Sequence, residues 1–388
     1  MLESLQVHLI SCGKWHLTNT AIAFHRREAL EGIWISDNDR TKLPRHKVHR
    51  CWPFQLLMQP FYRIAPQIMV EKAFYRWFSI WRCWARSRDY GQFNVAQAIM
   101  GYGTEPFEKA ERCGALKVLD CQNSHPTNYY GYWQRECDIW CPGEQVPIPR
   151  WMFARMNREL EQADLILCPS VFVQDSMIAN GIPETKCFLS PFGVDTSIFK
   201  LRARIPAKPR FVCVGTICLR KGHQYLLRAF ERVCNLIPDA ELICVGDYKT
   251  DFRIERARWE GRFTHIKSLN HIALSELLAT CTAFVFPSCE EGFARVIPEA
   301  MAVGLPIIAS YESGATTLVT NGVEGFIVRA RDPEHIADAM IKAATDHDLN
   351  RRMGEAAYRK GVIKNTWQDY GDRLLEEYTR RLLEKRNS

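Results

Sequence analysis

Short apolar runs alternate with amphipathic stretches along the chain. Residues 5–11 read as a first buried strand, followed by a turn at Gly13, a helix over 20–30 and a second strand at 33–35. Residues 115–120 read as a strand that opens into the loop 121–126. A helix is predicted over 149–162, with Pro149 suited to its start, then a buried strand at 165–168 and a helix over 171–179 that stops at Asn180-Gly181. Residues 187–189 close this half. The segment 200–210 has five basic residues, two prolines and no acids, and reads as an exposed linker. Beyond it the alternation is cleaner. Strands are predicted at 211–214, 241–245, 283–287, 306–309 and 325–328, and helices at 224–236, 275–279, 298–303, 333–344 and 349–361. A last amphipathic helix covers 367–383. Strands alternating with helices imply parallel sheets with right-handed crossovers, so both halves read as doubly wound α/β domains.

Composition agrees. The 388 residues suit two domains, and 47% hydrophobic with 24% charged residues excludes disordered, collagen-like and small disulfide-stapled chains. No apolar run approaches the roughly 20 residues of a spanning helix. The first residues read as a strand and not as a signal peptide. The 15 cysteines are odd in number and several sit inside apolar runs, as Cys168, Cys213 and Cys244 do, which reads as core filler in a reducing, cytoplasmic setting. Cys137 and Cys141 have no second pair, so no metal site is expected.

Charge is unevenly placed. The net charge is +7, yet the stretch from Arg40 to Tyr90 holds eleven Lys and Arg against Glu71 and Asp89, a local +9. Within it Phe74, Trp77, Phe78, Trp81 and Trp84 recur at helical steps. Two readings stand: domain core beneath a solvated basic face, or peripheral contact with an anionic membrane. No recognisable nucleic-acid motif accompanies the stretch, and no nucleic-acid partner is expected.

Three places carry candidate chemistry. In FVCVGTICLRKGHQ a buried strand ends at Gly215 and a loop with Thr216, Arg220 and Lys221 precedes a helix, an arrangement that suits phosphate or is merely a solvated basic turn. In FVFPSCEEGFARVIPEAMAVGLP, Glu290, Glu291 and Gly292 follow a strand, and Glu299 lies in the first turn of the next helix. Carboxylates there suit sugar or ribose hydroxyls, or Glu299 only complements the helix dipole. His125 follows the strand ending at Asp120, and Gly13 follows the first strand, where the lack of a side chain permits close approach of a ligand.

GTICLRKG and EGFARVIPEA, with Met301-Ala302-Val303-Gly304-Leu305-Pro306 after them, resemble the retaining glycosyltransferases of family 4, which have the GT-B fold. The resemblance covers residues 157–361 well and the first 110 residues weakly. It implies an α/β fold of two Rossmann-like domains facing across a cleft: an acceptor-side domain at 1–200, a nucleotide-sugar domain at 201–365, and a helix at 366–388 crossing back to the first. The implied reaction moves a hexosyl group from a nucleotide-diphosphate sugar, UDP- or GDP-linked, to a hydroxyl of a glycan, a lipid-linked glycan or a small molecule. It proceeds with retention and needs no metal or other cofactor. Lys221 would bind the diphosphate with Arg220 beside it, Glu291 would meet the sugar hydroxyls, and Glu299 the ribose. The amides around Phe293, Ala294, Arg295 and Val296 would support the phosphates, and His125 would lie near the donor sugar. Thr216 departs from the family, many of whose members have Arg there, so the diphosphate would lean harder on Lys221. The alternatives are a nucleotide-sugar epimerase of similar fold and a non-catalytic partner protein of the same fold.

Overall fold

Val7, Leu9 and Ile10 are fully buried, as the central strand of a sheet covered on both faces requires. The computed structural model describes residues 4–13, 16–36, 43–64, 67–144, 146, 148–362 and 365–387. Among them the first sheet has seven strands: β1 (Val7–Ile10), β2 (Leu30–Ile35), β3 (Val48–Arg50), β4 (Val95–Ile99), β5 (Leu116–Asp120), β6 (Leu165–Cys168) and β7 (Cys187–Leu189). Every pairing is parallel, in the order β3-β2-β1-β4-β5-β6-β7. Its helices are α1 (Leu17–Arg26), α2 (Trp52–Ile64), α3 (Gln67–Ser87), α4 (Thr104–Cys113), α5 (Pro126–Trp140), α6 (Arg150–Gln162) and α7 (Val171–Ala179).

The second sheet is built from β8 (Arg210–Val214), β9 (Glu241–Val245), β10 (Thr264–Ile266), β11 (Ala283–Phe286), β12 (Ile307–Ser310) and β13 (Gly325–Val328), again all parallel, in the order β10-β9-β8-β11-β12-β13. Around it lie α8 (His223–Leu236), α9 (Arg253–Trp259), α10 (His271–Ala279), α11 (Val296–Ala302), α12 (Pro333–Thr345) and α13 (His347–Gly361). In both sheets the order reverses beside the first strand, so the carboxyl ends of β1/β4 and β8/β11 form the two crevices where ligands bind in such folds. Two Rossmann-like domains therefore face each other, the GT-B architecture expected from the sequence.

Helix α14 (Trp367–Asn387) returns to the first domain. Its Tyr370, Leu374 and Tyr378 are completely buried in that domain's core, and the Tyr378 hydroxyl donates to Gln97 Oε1 of β4 at 2.8 Å. The outgoing and returning connections run side by side: Val194 N donates to Asn365 O at 2.9 Å, and Asn365 Nδ2 to Phe192 O at 2.9 Å. The segment 200–210 is the irregular, largely exposed connection the composition suggested, anchored at one residue. Arg202 is buried and donates to the carbonyls of Cys281 and Thr282 and to Asn350 Oδ1, at 3.0, 3.1 and 2.7 Å. One cation thus fastens the segment under the second domain.

In the Arg40 to Tyr90 stretch part of the aromatic face is core. Phe78 and Trp81 are buried and stacked at 5.5 Å, and Trp84 is buried beside them. Its cations meet acids outside the stretch: Arg82 with Glu105 at 2.8 Å, Arg86 with Glu108 at 3.0 Å and Lys47 with Glu31 at 3.3 Å. The local +9 is therefore partly neutralised in the fold. At its edge Trp52, Leu56 and Met69 are 53%, 67% and 50% exposed. Residues 37–42, with Arg40 and Lys42, lie outside the described residues. The sequence pattern did not single out β4, α4 or α5, yet α5 reaches the second domain through Trp133, Glu136 and Trp140.

Candidate functional site

The loop after β8 and the loop after β11 are pressed together by backbone geometry. Gly222 has φ +73°, and a Cβ on it would lie 2.1 Å from Pro287 O, so only glycine fits this approach. The contact places Arg220 and Lys221 over the acidic loop. Lys221 Nζ lies 2.8 Å from Glu291 Oε2. Arg220 Nη1 donates to Glu290 Oε2 at 2.8 Å and to Glu290 O at 2.6 Å, with Glu291 at 3.6 Å. A Cβ at Gly215 would sit 3.3 Å from Lys221 Nζ, so the first loop glycine leaves the ammonium room. Burial opposes the Arg220 cation, but Glu291 and Glu290 outweigh it and hold its proton above the ordinary arginine range. Burial also opposes the Glu291 carboxylate, and there Lys221 and Arg220 prevail and lower its pKa. The site is a compact, desolvated cluster of two cations and two anions.

Across the cleft the first domain completes it. Glu290 is fully buried, and its Oε1 accepts from Ser124 N and Ser124 Oγ, both at 3.0 Å. Gly292 lies against the loop after β5: a Cβ there would be 1.7 Å from Gln122 O. Next to Ser124, His125 caps α5, with Nδ1 accepting from Thr127 N at 3.3 Å. Burial lowers its pKa, so the imidazole is neutral at pH 7, and the cap leaves Nε2 to carry the proton. A second carboxylate crosses in the opposite sense. Glu136 of α5, fully buried, accepts from Arg331 Nε at 2.6 Å, and from Gln224 Nε2 and the Tyr225 hydroxyl of α8, each at 2.8 Å.

The remaining candidates are placed as follows. Glu299 is half-buried in the first turn of α11, and burial raises its carboxyl to about 7, with Arg295 acting in the opposite direction. Arg295 is exposed, Val296 is half-buried and Ala294 is buried. No side chain caps α11. The Phe293 ring packs on Phe192 at 5.7 Å, inside the junction between the domains. Thr216 and Arg220 line a cavity of about 240 Å³ together with Tyr129, Trp133 and Lys249. Gly13 sits past the end of β1, with its amide on Ser11 Oγ at 3.0 Å, and none of the described contacts joins it to Lys221 or Glu291. The Ser124–Glu290 bridge, the Glu136–Arg331 pair and the cavity residues Tyr129, Trp133 and Lys249 went unmarked in the sequence. The one available signal was Glu290, adjacent to Glu291, whose separate role depends on a partner 166 residues away.

Chemically the arrangement offers a cation, Lys221, at the carboxyl ends of β8 and β11, with the Glu291 carboxylate beside it for hydroxyl groups. His125 follows Ser124, whose backbone and hydroxyl reach the second domain. Such fixed charges and dipoles suit a departing diphosphate. Among the described residues no cluster of His, Cys, Asp and Glu has metal-ligand form.

Residues 196–360 match the family described as "Glycosyl transferases group 1". A sulfoquinovosyl transferase of Arabidopsis thaliana is 28% identical over 248 residues, 58% of this chain and 47% of that protein. A phosphatidylinositol N-acetylglucosaminyltransferase component of the same plant is 25% identical over 59% of this chain and 55% of its own length, so the chain spans about half the length of these relatives. A GDP-mannose-dependent alpha-(1-6)-phosphatidylinositol monomannoside mannosyltransferase of Mycobacterium tuberculosis is 24% identical over 69% of this chain and 71% of its own. Among solved structures, the sucrose-phosphate synthase of Thermosynechococcus elongatus superposes with TM-score 0.75 at 18% identity, covering 98% of this chain and 99% of that one. Anabaena HepE in complex with UDP-glucose superposes with TM-score 0.67 at 16% identity, over 97% and 100%. The family match lies on the domain that holds Lys221, Glu291 and Glu299.

Proposed function

We propose that the protein is a retaining glycosyltransferase that moves a hexosyl group from a UDP- or GDP-sugar to an acceptor hydroxyl of a glycan, a lipid-linked glycan or a small molecule. The observation that carries this reading is the Lys221–Glu291 pair, held 2.8 Å apart at the carboxyl ends of β8 and β11 and faced by the first domain. Donor entry replaces that pair: Lys221 turns to the diphosphate, and Glu291 is released to the sugar hydroxyls. Arg220 keeps Glu290 as its partner and acts beside the phosphates, with the Gly292 to Val296 amides closing on them. Glu299 takes the ribose hydroxyls. His125, neutral, offers Nε2–H to the donor sugar. Charge on the leaving group is held by these groups without a divalent cation, and the leaving phosphate takes the acceptor proton on the same face. The names of two relatives support the donor class, one GDP-mannose-dependent and one bound to UDP-glucose. None of the fifteen cysteines is in a disulfide, which suits work in a reducing, cytoplasmic compartment. No helix of the described residues is long and apolar enough to cross a membrane. We place any membrane contact at the exposed Trp52, Leu56 and Met69 edge, beside the basic stretch.

Three outcomes test this. Lys221→Ala lowers kcat/KM for the donor roughly 10- to 100-fold, the loss of a charge-assisted phosphate contact, while wild-type turnover in EDTA continues and NMR finds the donor's anomeric configuration in the product. Undiminished turnover in the variant, or an inverted product, contradicts the reading. The pH dependence follows from Glu299. Below about 7 its carboxyl holds a proton in the free chain, and hydroxyl donors bind the ionised form, so donor binding releases that proton. Donor affinity therefore rises as pH increases through 7, and Glu299→Gln flattens the rise; a slope unchanged in that variant removes Glu299 from the ribose site. Finally, the chain cosediments with phosphatidylserine-containing vesicles and does so less in Leu56→Glu; equal sedimentation of the two excludes this edge.

A further inference from the structure

A second cavity, of about 170 Å³, lies in the first domain and continues the one beside Arg220. The two share Tyr75, Tyr129 and Ile148 as a common wall. From there the second cavity runs between α3, the end of β4 and α6, among Phe74, Met100, Tyr102, Met152 and Met156. Its cleft end is bounded by Gln122 and Asn123, and the Gln122 carbonyl is the atom that Gly292 approaches. Its inner end is therefore apolar and soft, and its open end lies beside the loop that carries Glu291.

The walls are held in place. Gly101, between Met100 and Tyr102, donates its N–H to Glu159 Oε2 at 2.6 Å and accepts from Arg155 Nε at 2.7 Å. Glu159 Oε1 also accepts from Thr104 N and Oγ1, both at 2.9 Å. Glu159 and Arg155 are both buried, which gives the β4–α4 turn a fixed form next to thioether and aromatic side chains. A free sugar has hydroxyls in every direction and would lose their hydration in such a place. A hydrocarbon gains there.

We propose that the acceptor is amphipathic: its hydroxyl stands at the Gln122–Asn123 end, and an uncharged hydrocarbon group attached to it fills this cavity. The inference rests on the glycosyltransferase reading and narrows its acceptor class. An apolar cavity of about 150 Å³ accommodates benzene, so the group has the size of one six-membered ring or of about six carbons of an aliphatic chain. The aromatic ring of an aglycone and the first part of a lipid chain share this chemistry, and the test separates them.

Methyl, phenyl and hexyl β-D-glucopyranosides are titrated calorimetrically into the intact chain, with UDP or GDP present where either binds. Burial of each methylene is worth roughly fourfold in affinity, so phenyl or hexyl glucoside binds at least tenfold tighter than methyl glucoside. Phenyl preference marks an aromatic group and hexyl preference a chain; either supports the proposal. Met156→Gln reduces the preference below threefold and Met156→Leu restores it, with nucleotide affinity unchanged in both. Met100→Gln makes the same test from the turn after β4 should Met156→Gln not fold. Equal binding of the three glucosides, or a preference that survives both glutamine variants, overturns the proposal. Failure of both UDP and GDP to bind contradicts the glycosyltransferase reading instead, and the glucoside preference of the chain alone still decides the cavity.

Discussion

The structure turns on one buried carboxylate. Glu290 has no exposed surface, and its two oxygens face different domains: Oε1 takes the backbone and hydroxyl of Ser124, and Oε2 takes Arg220. A charge in that position has lost its water and is tolerated only when each lone pair is met. Burial raises its pKa, and the Arg220 cation is what opposes that rise most. Breaking such a pair by removing one partner costs about 3–5 kcal/mol, so the contact constrains both loops at once. Arg220 fixes the loop that presents Lys221, and Ser124 fixes the loop that presents His125.

From this follows the shape of the cleft. With Glu290 committed to Ser124, the next two residues have no freedom of approach. Glu291 turns to Lys221, and Gly292 lies so near Gln122 O that any side chain would separate the domains. Glu136 mirrors the arrangement from α5, reaching into the second domain for Arg331, Gln224 and Tyr225. Two buried carboxyl groups of opposite origin thus join the domains. Arg331 itself has φ +67°, an unfavourable backbone for a side chain of its size, and it is held there by Glu136 and by Tyr132, 5.4 Å from its guanidinium.

Most of the second domain was legible in the sequence because β8, β9, β11 and β12 are buried apolar runs, whereas the exposed β10 left no such signal. The donor loops were legible because Arg220, Lys221 and Glu291 lie in short, ordered motifs. The basic aromatic stretch was legible as a helix with a core face, but its charge was misleading, since Glu31, Glu105 and Glu108 lie outside it and pair with it only after folding. The linker was legible as exposed chain, but its one anchor was not, since Arg202 finds its acceptors on residues 281, 282 and 350. Cross-domain roles such as those of Ser124, Glu136 and Gly292 depend on partners 88 to 195 residues away, and no local pattern encodes them. The acceptor cavity is hidden for the same reason, being assembled from α3, β4, α5 and α6.

The central claim is that nucleotide-sugar binds where the two domains close, with Gly292 permitting the approach. Calorimetric titration of the UDP- and GDP-sugars into the intact chain and into Gly292→Ala tests it. One sugar nucleotide binds the wild-type chain with 1:1 stoichiometry and at least tenfold more weakly to the variant, whose methyl group would overlap Gln122 O. Absence of binding to the wild-type chain, or undiminished binding to the variant, contradicts the account.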